Sequence, residues 1–304
     1  MNKAVLASAI WAATTGFALA EVKLSAEARS GILSVPGSAR LLFTSKLRIN
    51  FNLSVPTDGD LAFGGFFASS DINGTSSGTP GSLFVEGSFG RLSVGNVDGA
   101  TSAAIGQVRG VGLVSGDDQN DISYIANGGG GFQTASFGNT SDPTALLRLD
   151  AQDLTLYASV TQPEGTKGQN AYALAAKQTF GKIAYAVGYE HETTPSADIS
   201  HYVLGATATF GKLTTKAIYG QVRSDAVART TAQWAISAAY TAKDLTLIAY
   251  FADDAGLGSA TSHARAFGLG ASYRLADGVT FVGGLYHNQT RGQSGLDVGL
   301  LLNF

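Results

Sequence analysis

The chain has 304 residues, with 39 glycines, no cysteine and only 14% charged side chains. Lack of cysteine excludes a disulfide-stapled scaffold and a thiolate zinc site, and 44% hydrophobic with 10% aromatic residues excludes a disordered chain. A balance of 20 basic against 23 acidic residues argues against a nucleic-acid partner, and no apolar run beyond residues 4–20 could form a membrane helix, which excludes a helical transporter.

That first segment reads as a secretory leader. Lys3 supplies the positive start, Ala4 to Phe17 the apolar stretch, and Ala18-Leu19-Ala20 a small-x-small cleavage site. A transmembrane anchor is the alternative, but the stretch is short and no stop-transfer flank follows. Residues 1–20 are therefore expected to be removed. Residues 21–304 read as one domain, because no charge run, linker or composition break divides them.

From Glu21 onward the dominant pattern is period two, which sends alternate side chains to opposite faces of a strand. The first strand is expected over Val22 to Leu33. In the second, Leu41, Phe43, Leu47, Ile49, Phe51 and Leu53 share one parity, while Arg40, Thr44, Lys46, Arg48, Asn50 and Asn52 share the other; Leu42 is the exception. A turn follows at Asp58-Gly59-Asp60-Leu61, and equivalents recur at Phe89-Gly90-Arg91-Leu92, Ala151-Gln152-Asp153-Leu154, Phe180-Gly181-Lys182-Ile183, Phe210-Gly211-Lys212-Leu213, Ala242-Lys243-Asp244-Leu245 and Ala276-Asp277-Gly278-Val279. Measured from residue 59 through 90, 152, 181, 211 and 243 to 277, the spacings are 31, 62, 29, 30, 32 and 34 residues. The unit is a hairpin of about thirty residues. The doubled interval means that one connection, between Asp98 and Pro143, is enlarged. Other connections are moderate and polar, including Ser69 to Gly81. All six prolines fall in connections or at their edges, as a residue without an N–H must in a closed ladder. The last strand, Gly295 to Phe304, places Leu296, Val298, Leu300, Leu302 and Phe304 on one face.

Seven short turns and eight longer loops thus separate sixteen strands. Sixteen antiparallel strands of about ten residues suit a transmembrane β-barrel with an apolar outside and a hydrated lumen. Phe89, Phe180, Phe210, Tyr240, Tyr273 and Phe304, each beside a short turn or at the chain end, are expected to form an aromatic girdle.

The start Glu21-Val22-Lys23-Leu24-Ser25, the Phe-Gly-Lys/Arg-Leu turns, the segment Gly116-Asp117-Asp118-Gln119-Asn120-Asp121 and the terminal Phe304 together resemble the sixteen-stranded general porins of purple bacteria and other alphaproteobacteria. The resemblance spans the whole of residues 21–304. It implies an all-β, sixteen-stranded antiparallel barrel in the outer membrane, surrounded by lipid and lipopolysaccharide. It further implies a homotrimer, passive passage of small hydrophilic solutes, and a third loop folded into the lumen. The run Asn127-Gly128-Gly129-Gly130-Gly131 departs from the more acidic stretch of the relatives. Ala26, Ala28, Gly65 and Gly87 would give the outer faces of the early strands small side chains suited to subunit packing.

No catalytic constellation is visible. His191, His201, His263 and His287 lack any metal or triad spacing and are expected on the surface near loops. Gly292-Gln293-Ser294-Gly295 is not a nucleophile elbow, and Gly128 to Gly131 lacks the Lys-Ser/Thr of a phosphate loop. What remains is charge. Parity directs Arg29, Arg40, Lys46 and Arg48 into the lumen as the basic side of a constriction, and the enlarged loop offers Asp98, Asp117, Asp118 and Asp121 as its acidic side. Ordinary solvated charges on a strand and a loop are the plainer alternative. Asp117, Asp118 and Asp121 also carry the oxygen ligands that calcium takes, although three carboxylates in five residues equally describe a solvated turn. No other cofactor is required. The leading function is a general diffusion pore. A substrate-specific pore would need an aromatic track or dense basic ladder along the lumen, and an outer-membrane barrel hydrolase would need a rim Ser/His or Asp/His site.

Overall fold

A computed structural model describes residues 20–34, 40–72, 75–113, 119–125, 144–161, 170–195, 197–225, 229–257 and 264–304. The expected leader, up to residue 19, lies outside them. Among the described residues sixteen strands follow one another around a closed barrel. They are β1 (Glu21–Ser34), β2 (Leu41–Pro56), β3 (Ala62–Ile72), β4 (Thr75–Gly87), β5 (Gly90–Gly95), β6 (Thr144–Ala151), β7 (Leu154–Thr161) and β8 (Asn170–Phe180). The second half comprises β9 (Ile183–Thr193), β10 (Asp198–Phe210), β11 (Leu213–Ser224), β12 (Arg229–Ala242), β13 (Leu245–Asp254), β14 (Ala264–Ala276), β15 (Val279–Asn288) and β16 (Gln293–Asn303). One helical turn, α1 (Ala100–Ile105), lies in the connection between β5 and β6, hereafter loop three.

Closure is made by β1 and β16, which pair from Glu27↔Asn303 to Leu33↔Asp297, with Phe304 and Ala26 exchanging backbone bonds of 2.8 and 3.2 Å. No sheet edge is left for another chain to extend. The short turns expected from the sequence lie at one end, where Gln152, Gly181, Gly211 and Lys243 take positive φ between 53° and 61°. Such turns follow the right-handed twist of the flanking strands, and glycine enters that conformation without a Cβ penalty.

The faces are inverted relative to a water-soluble protein. Phe43 and Leu83, at 86% and 72% exposure, belong to an outward apolar surface that includes Leu24, Leu174, Leu204 and Leu269. Thr44, Arg48, Asn50, Glu190, His201 and Gln233 are buried within. This is the partition that hydrocarbon outside and water inside impose on alternating strands. The six girdle aromatics are all exposed on the outer face at the turn end.

One connection differs from expectation. β3 and β4 continue to Ile72 and from Thr75, so the loop expected over Ser69 to Gly81 is largely strand, and Pro80 lies inside β4. The register slips there: Phe66 pairs with Ser82 and Ala68 with Thr79, leaving Pro80 and Gly81 opposite Phe67. A bulge releases a ladder position from hydrogen bonding, which is where a residue without an N–H fits.

Candidate pore constriction

Loop three enters the barrel and lies along its inner wall. Its outgoing limb begins with Ala100, whose N–H donates to Ser159 Oγ on β7 at 2.8 Å. α1 then packs Thr101 over Gly188 of β9 and Ile105 over Gly205 of β10, where a Cβ would approach within 2.5 and 2.6 Å of those side chains. Lys216 on β11 donates to the carbonyl of Ile105 at the end of the helix. Beyond Gly106 the limb crosses β12, where Arg109 N–H donates to Ser237 Oγ at 3.1 Å, and then β14 and β15, where Val111 and Gly112 lie over Gly270 and Gly284. It reaches the seam at Leu113. The N–H of Leu113 donates to Asp297 Oδ1 on β16 at 2.6 Å, and its carbonyl accepts from Arg29 Nη1 on β1 at 3.0 Å.

The returning limb, residues 119–125, runs back on the loop-end side of the outgoing one. Asn288 Nδ2 donates to Gln119 Oε1 at 2.7 Å. Ser123 gives both its N–H and its hydroxyl to the carboxylate of Asp254, at 3.0 and 2.8 Å. Ile125 N–H donates to Glu190 Oε2 at 3.0 Å. The limbs are tied to each other by paired bonds between Gln107 and Ile122, by Asn120 donating to the Val108 carbonyl, and by Tyr124 OH donating to the Gly106 carbonyl at 2.9 Å. Burial, with Glu190, Asp121 and Asp98 nearby, holds the Tyr124 phenol well above its usual range, so that hydroxyl stays a donor.

Beneath these bonds is an apolar core inside the barrel. Ala104, Ile105, Val108, Val111 and Ile122 of the loop pack against small or branched inward residues of β8 to β14, among them Ala173, Val203, Ile218, Ala235 and Ile248. The inner wall is therefore of two kinds. From β8 to β14 its alanines and glycines are a seat for the loop rather than lumen surface, contrary to the uniform hydrated wall that the sequence suggests. From β1 to β6 it carries Arg29, Lys46, Arg48, Asn50, Arg91 and Arg148, and of the described part of the loop Leu113 reaches this side, bonded to Arg29 and packed over Gly31 of β1.

The register joins three of the four expected basic residues. Arg29 is directly opposite Lys46, and Glu27 is opposite Arg48. Like charges in opposed positions repel. Here Arg29 turns to the carbonyl of Leu113, and Arg48 donates from Nε to Asn50 Oδ1 at 2.9 Å. Arg40 is not part of this group. It precedes β2 at the loop end and is exposed, six residues or about 20 Å along the strand from Lys46. Two basic residues not singled out from sequence, Arg91 and Arg148, pair across β5 and β6 near the turn end and are matched by Glu86 at 3.4 Å and Asp150 at 2.7 Å.

Of the expected acidic side, Asp98 stands between β5 and α1, where burial pushes its carboxyl up to about 6. Asp121 is on the returning limb beside Ile122. Asp117 and Asp118 lie outside the described residues, and so does most of the expected calcium cluster; among the described residues no group of three acidic or histidine side chains has the arrangement of a metal site.

The surface reading of the histidines needs correction. His191 and His287 do face outward near the loop end, against Tyr172 and Phe267, and His263 lies outside the described residues. His201 is fully buried inside the barrel between Glu190 and Gln233. Strand parity held the signal: His201 shares its face with Val203 and Gly205, and its partner across the ladder is Glu190.

Comparison with known proteins agrees with this architecture. The profile of the Gram-negative porin family matches residues 6–293. A porin of Rhodobacter capsulatus is 31% identical over 295 residues, covering 88% of this chain and 94% of that protein. A solved porin structure superposes with a TM-score of 0.73 at 27% identity, over 93% of this chain and all of that one. A mutant Rh. blastica porin, 20% identical, gives 0.71 over the same shares and speaks for the fold.

Proposed function

Since this chain belongs to the Gram-negative porin family and is an outer-membrane general diffusion porin, we propose that loop three forms its constriction and that two opposed groups of charge govern what passes. The observation that carries this reading is the double anchoring of Leu113, to Asp297 and to Arg29, on either side of the barrel seam. A loop tied across that seam narrows the lumen to the space beside the β1–β6 wall. Arg29, Lys46 and Arg48 form the basic side of the passage. Asp98, Asp117, Asp118 and Asp121 supply the acidic side, and Arg40 belongs to the outer vestibule. A hydrated solute entering between them exchanges part of its hydration for that field, so size and charge select together. Reversal potentials in a salt gradient test the assignment, because neutralising either side should move selectivity in opposite directions.

The working assembly in this reading is a homotrimer of mature chains starting at Glu21, with lipid and lipopolysaccharide around its outer belt. Ala26, Ala28, Gly65 and Gly87 face outward on β1, β3 and β4, where small side chains allow a close approach between barrels. Cross-linking in mild detergent should give trimers. Monomers alone over a wide concentration range would contradict the assembly.

A further inference from the structure

Glu190, His201 and Gln233 form a chain of hydrogen bonds that begins and ends on the backbone of loop three. Ile125 N–H donates to Glu190 Oε2, which lies 2.8 Å from His201 Nδ1. His201 Nε2 is 2.9 Å from Gln233 Nε2, and that same amide nitrogen is 2.9 Å from the carbonyl oxygen of Ser123. All three side chains are fully buried. Imidazole and carboxamide meet across the intervening strand β11 because Gly220 has no side chain; a Cβ there would lie 2.6 Å from His201 Nε2.

The proton inventory of this chain is determined by its ends. The Ser123 carbonyl only accepts, so the Gln233 nitrogen, not its oxygen, must face it. That nitrogen only donates, so His201 Nε2 must present a lone pair. The single ring proton is then on Nδ1 and is given to Glu190. The arrangement satisfies both ring nitrogens of a neutral imidazole, although Glu190 Oε1 and Gln233 Oε1 are buried without a partner, and it fails for a protonated ring, because Nε2–H would oppose the Gln233 amide protons. Turning the carboxamide over satisfies imidazolium but sets the Gln233 oxygen against the Ser123 carbonyl.

We infer that His201 and Gln233 are a proton-responsive hold on the returning limb of loop three, in which Gln233 reports the charge of His201 to the backbone of Ser123. This rests on loop three being the constriction. With neutral His201 the limb is bonded at both Ser123 and Ile125; with charged His201 the Ser123 carbonyl is released while the Ile125 end, through Glu190, is kept. The limb loosens at one point and does not leave the wall, since Asp254 still holds Ser123 by its N–H and hydroxyl.

The other charges in reach are known. Glu190 faces the ring from β9, with Glu192 one inward position nearer the loop end. From loop three comes the ring of Tyr124, 6.1 Å away, whose hydroxyl feels Asp98 and Asp121. Among the described residues, β11 places Gly220 and Val222 next to His201 in the register, β12 the neutral Gln233, and β13 brings the carboxylate of Asp254 onto Ser123. Burial holds the Asp98 carboxyl up at about 6, inside the pH range scanned below, so its contribution is removed by mutation.

The test combines channel recording with a label on the loop. Full-length protein is reconstituted in planar bilayers, and brief closures are counted between about pH 7.5 and about pH 5, the range in which imidazole changes charge. In parallel, Ser123→Cys, unique in a chain without cysteine and located at the point of release, carries a nitroxide whose mobility is followed over the same range. Wild type should show an acid step, with the open-to-closed ratio falling about fivefold for one lost neutral hydrogen bond, and the nitroxide should become more mobile. Asp98→Asn should keep the step. His201→Gln should lose it, and Gln233→Met, which offers the Ser123 carbonyl no donor at any pH, should behave at neutral pH as wild type does in acid. An unresponsive nitroxide in the wild type, or a step retained in His201→Gln, overturns the inference. A responsive nitroxide with an unresponsive current supports the hold and instead refutes loop three as the constriction.

Discussion

Asp297 and Leu113 are 184 residues apart and joined by a 2.6 Å hydrogen bond, carboxylate oxygen to backbone N–H. Through it, the end of the described outgoing limb is attached to the last strand of the barrel, next to the strand that begins it. Asp297→Ala should leave a buried N–H without an acceptor, which costs about 1–3 kcal/mol, and the limb should lose its seat at the seam. Single-channel current should become noisier and larger on average. Asp297→Asn, which keeps an oxygen acceptor, should remain close to wild type.

The glycines under α1 make an opposite prediction. A Cβ at Gly205 would stand 2.6 Å from Ile105 Cγ2 and meet nothing else closely, so Gly205→Val pushes the helix away from β10 toward the pore. Overpacking of this kind costs about 1–3 kcal/mol. Conductance should fall while the barrel still resists heat in detergent; a conductance equal to wild type would mean that α1 does not border the passage.

Asp98 gives the pore a pH dependence whose sign can be worked out. Burial raises its carboxyl to about 6 from 3.8, so the folded protein holds that proton more tightly than the unfolded chain does. The stability tied to this proton is complete below about pH 3.8 and is lost as pH rises through about 6. Asp98→Asn should therefore be more heat-resistant than wild type at about pH 7.5 and no more so at about pH 3.5. In the same measurement series, reversal potentials of the wild type should move toward anion preference as pH falls to about 5, and those of Asp98→Asn should move less.

The basic residues separate by height. Neutralising Lys46 and Arg48 should shift selectivity toward cations. Neutralising Arg40 alone should change it little, because Arg40 is about 20 Å up the strand and exposed charges are screened over about 8 Å at physiological salt. Reversal potentials of Arg40→Gln and of the Lys46→Gln, Arg48→Gln double variant distinguish the two; equal shifts would place Arg40 at the constriction after all.

Most of the barrel was legible because it follows from local rules. Strand parity, turn residues such as Gly181 and Gly211, and the spacing of the turns determine faces, ends and strand number without reference to long-range contacts. Parity likewise brought Arg29, Lys46 and Arg48 to one face. The seat of loop three was less visible. Ala173, Val203, Gly205 and Ile218 alternate as a lumen wall would, and only the arrival of Ile105 and Val108 over them reveals that this face is covered. Arg40 shares the parity of Lys46 and Arg48 but stands nearer the loop end, because parity gives direction and not height. His201 looked like a surface residue because histidine types carry no sign of burial, whereas its paired register with Glu190, and Gly220 between it and Gln233, become informative only once strands 9 to 12 are aligned. Pro80 was read as a loop because its tolerance comes from a bulge in its own strand, where Pro80 and Gly81 oppose the single Phe67 of β3.

The measurement that bears most directly on the account is the single-channel conductance of a variant in which the stretch from Gly110 to Gly131 is replaced by a short glycine-serine link, leaving α1 and all sixteen strands intact. Removing the segment that reaches Asp297, Arg29 and Asp254 should widen the narrowest section, so conductance should rise clearly above wild type in the same salt and the charge preference set by Lys46 and Arg48 should weaken. A variant that still folds and inserts, yet conducts as wild type does, would show that loop three is not what limits passage through this barrel.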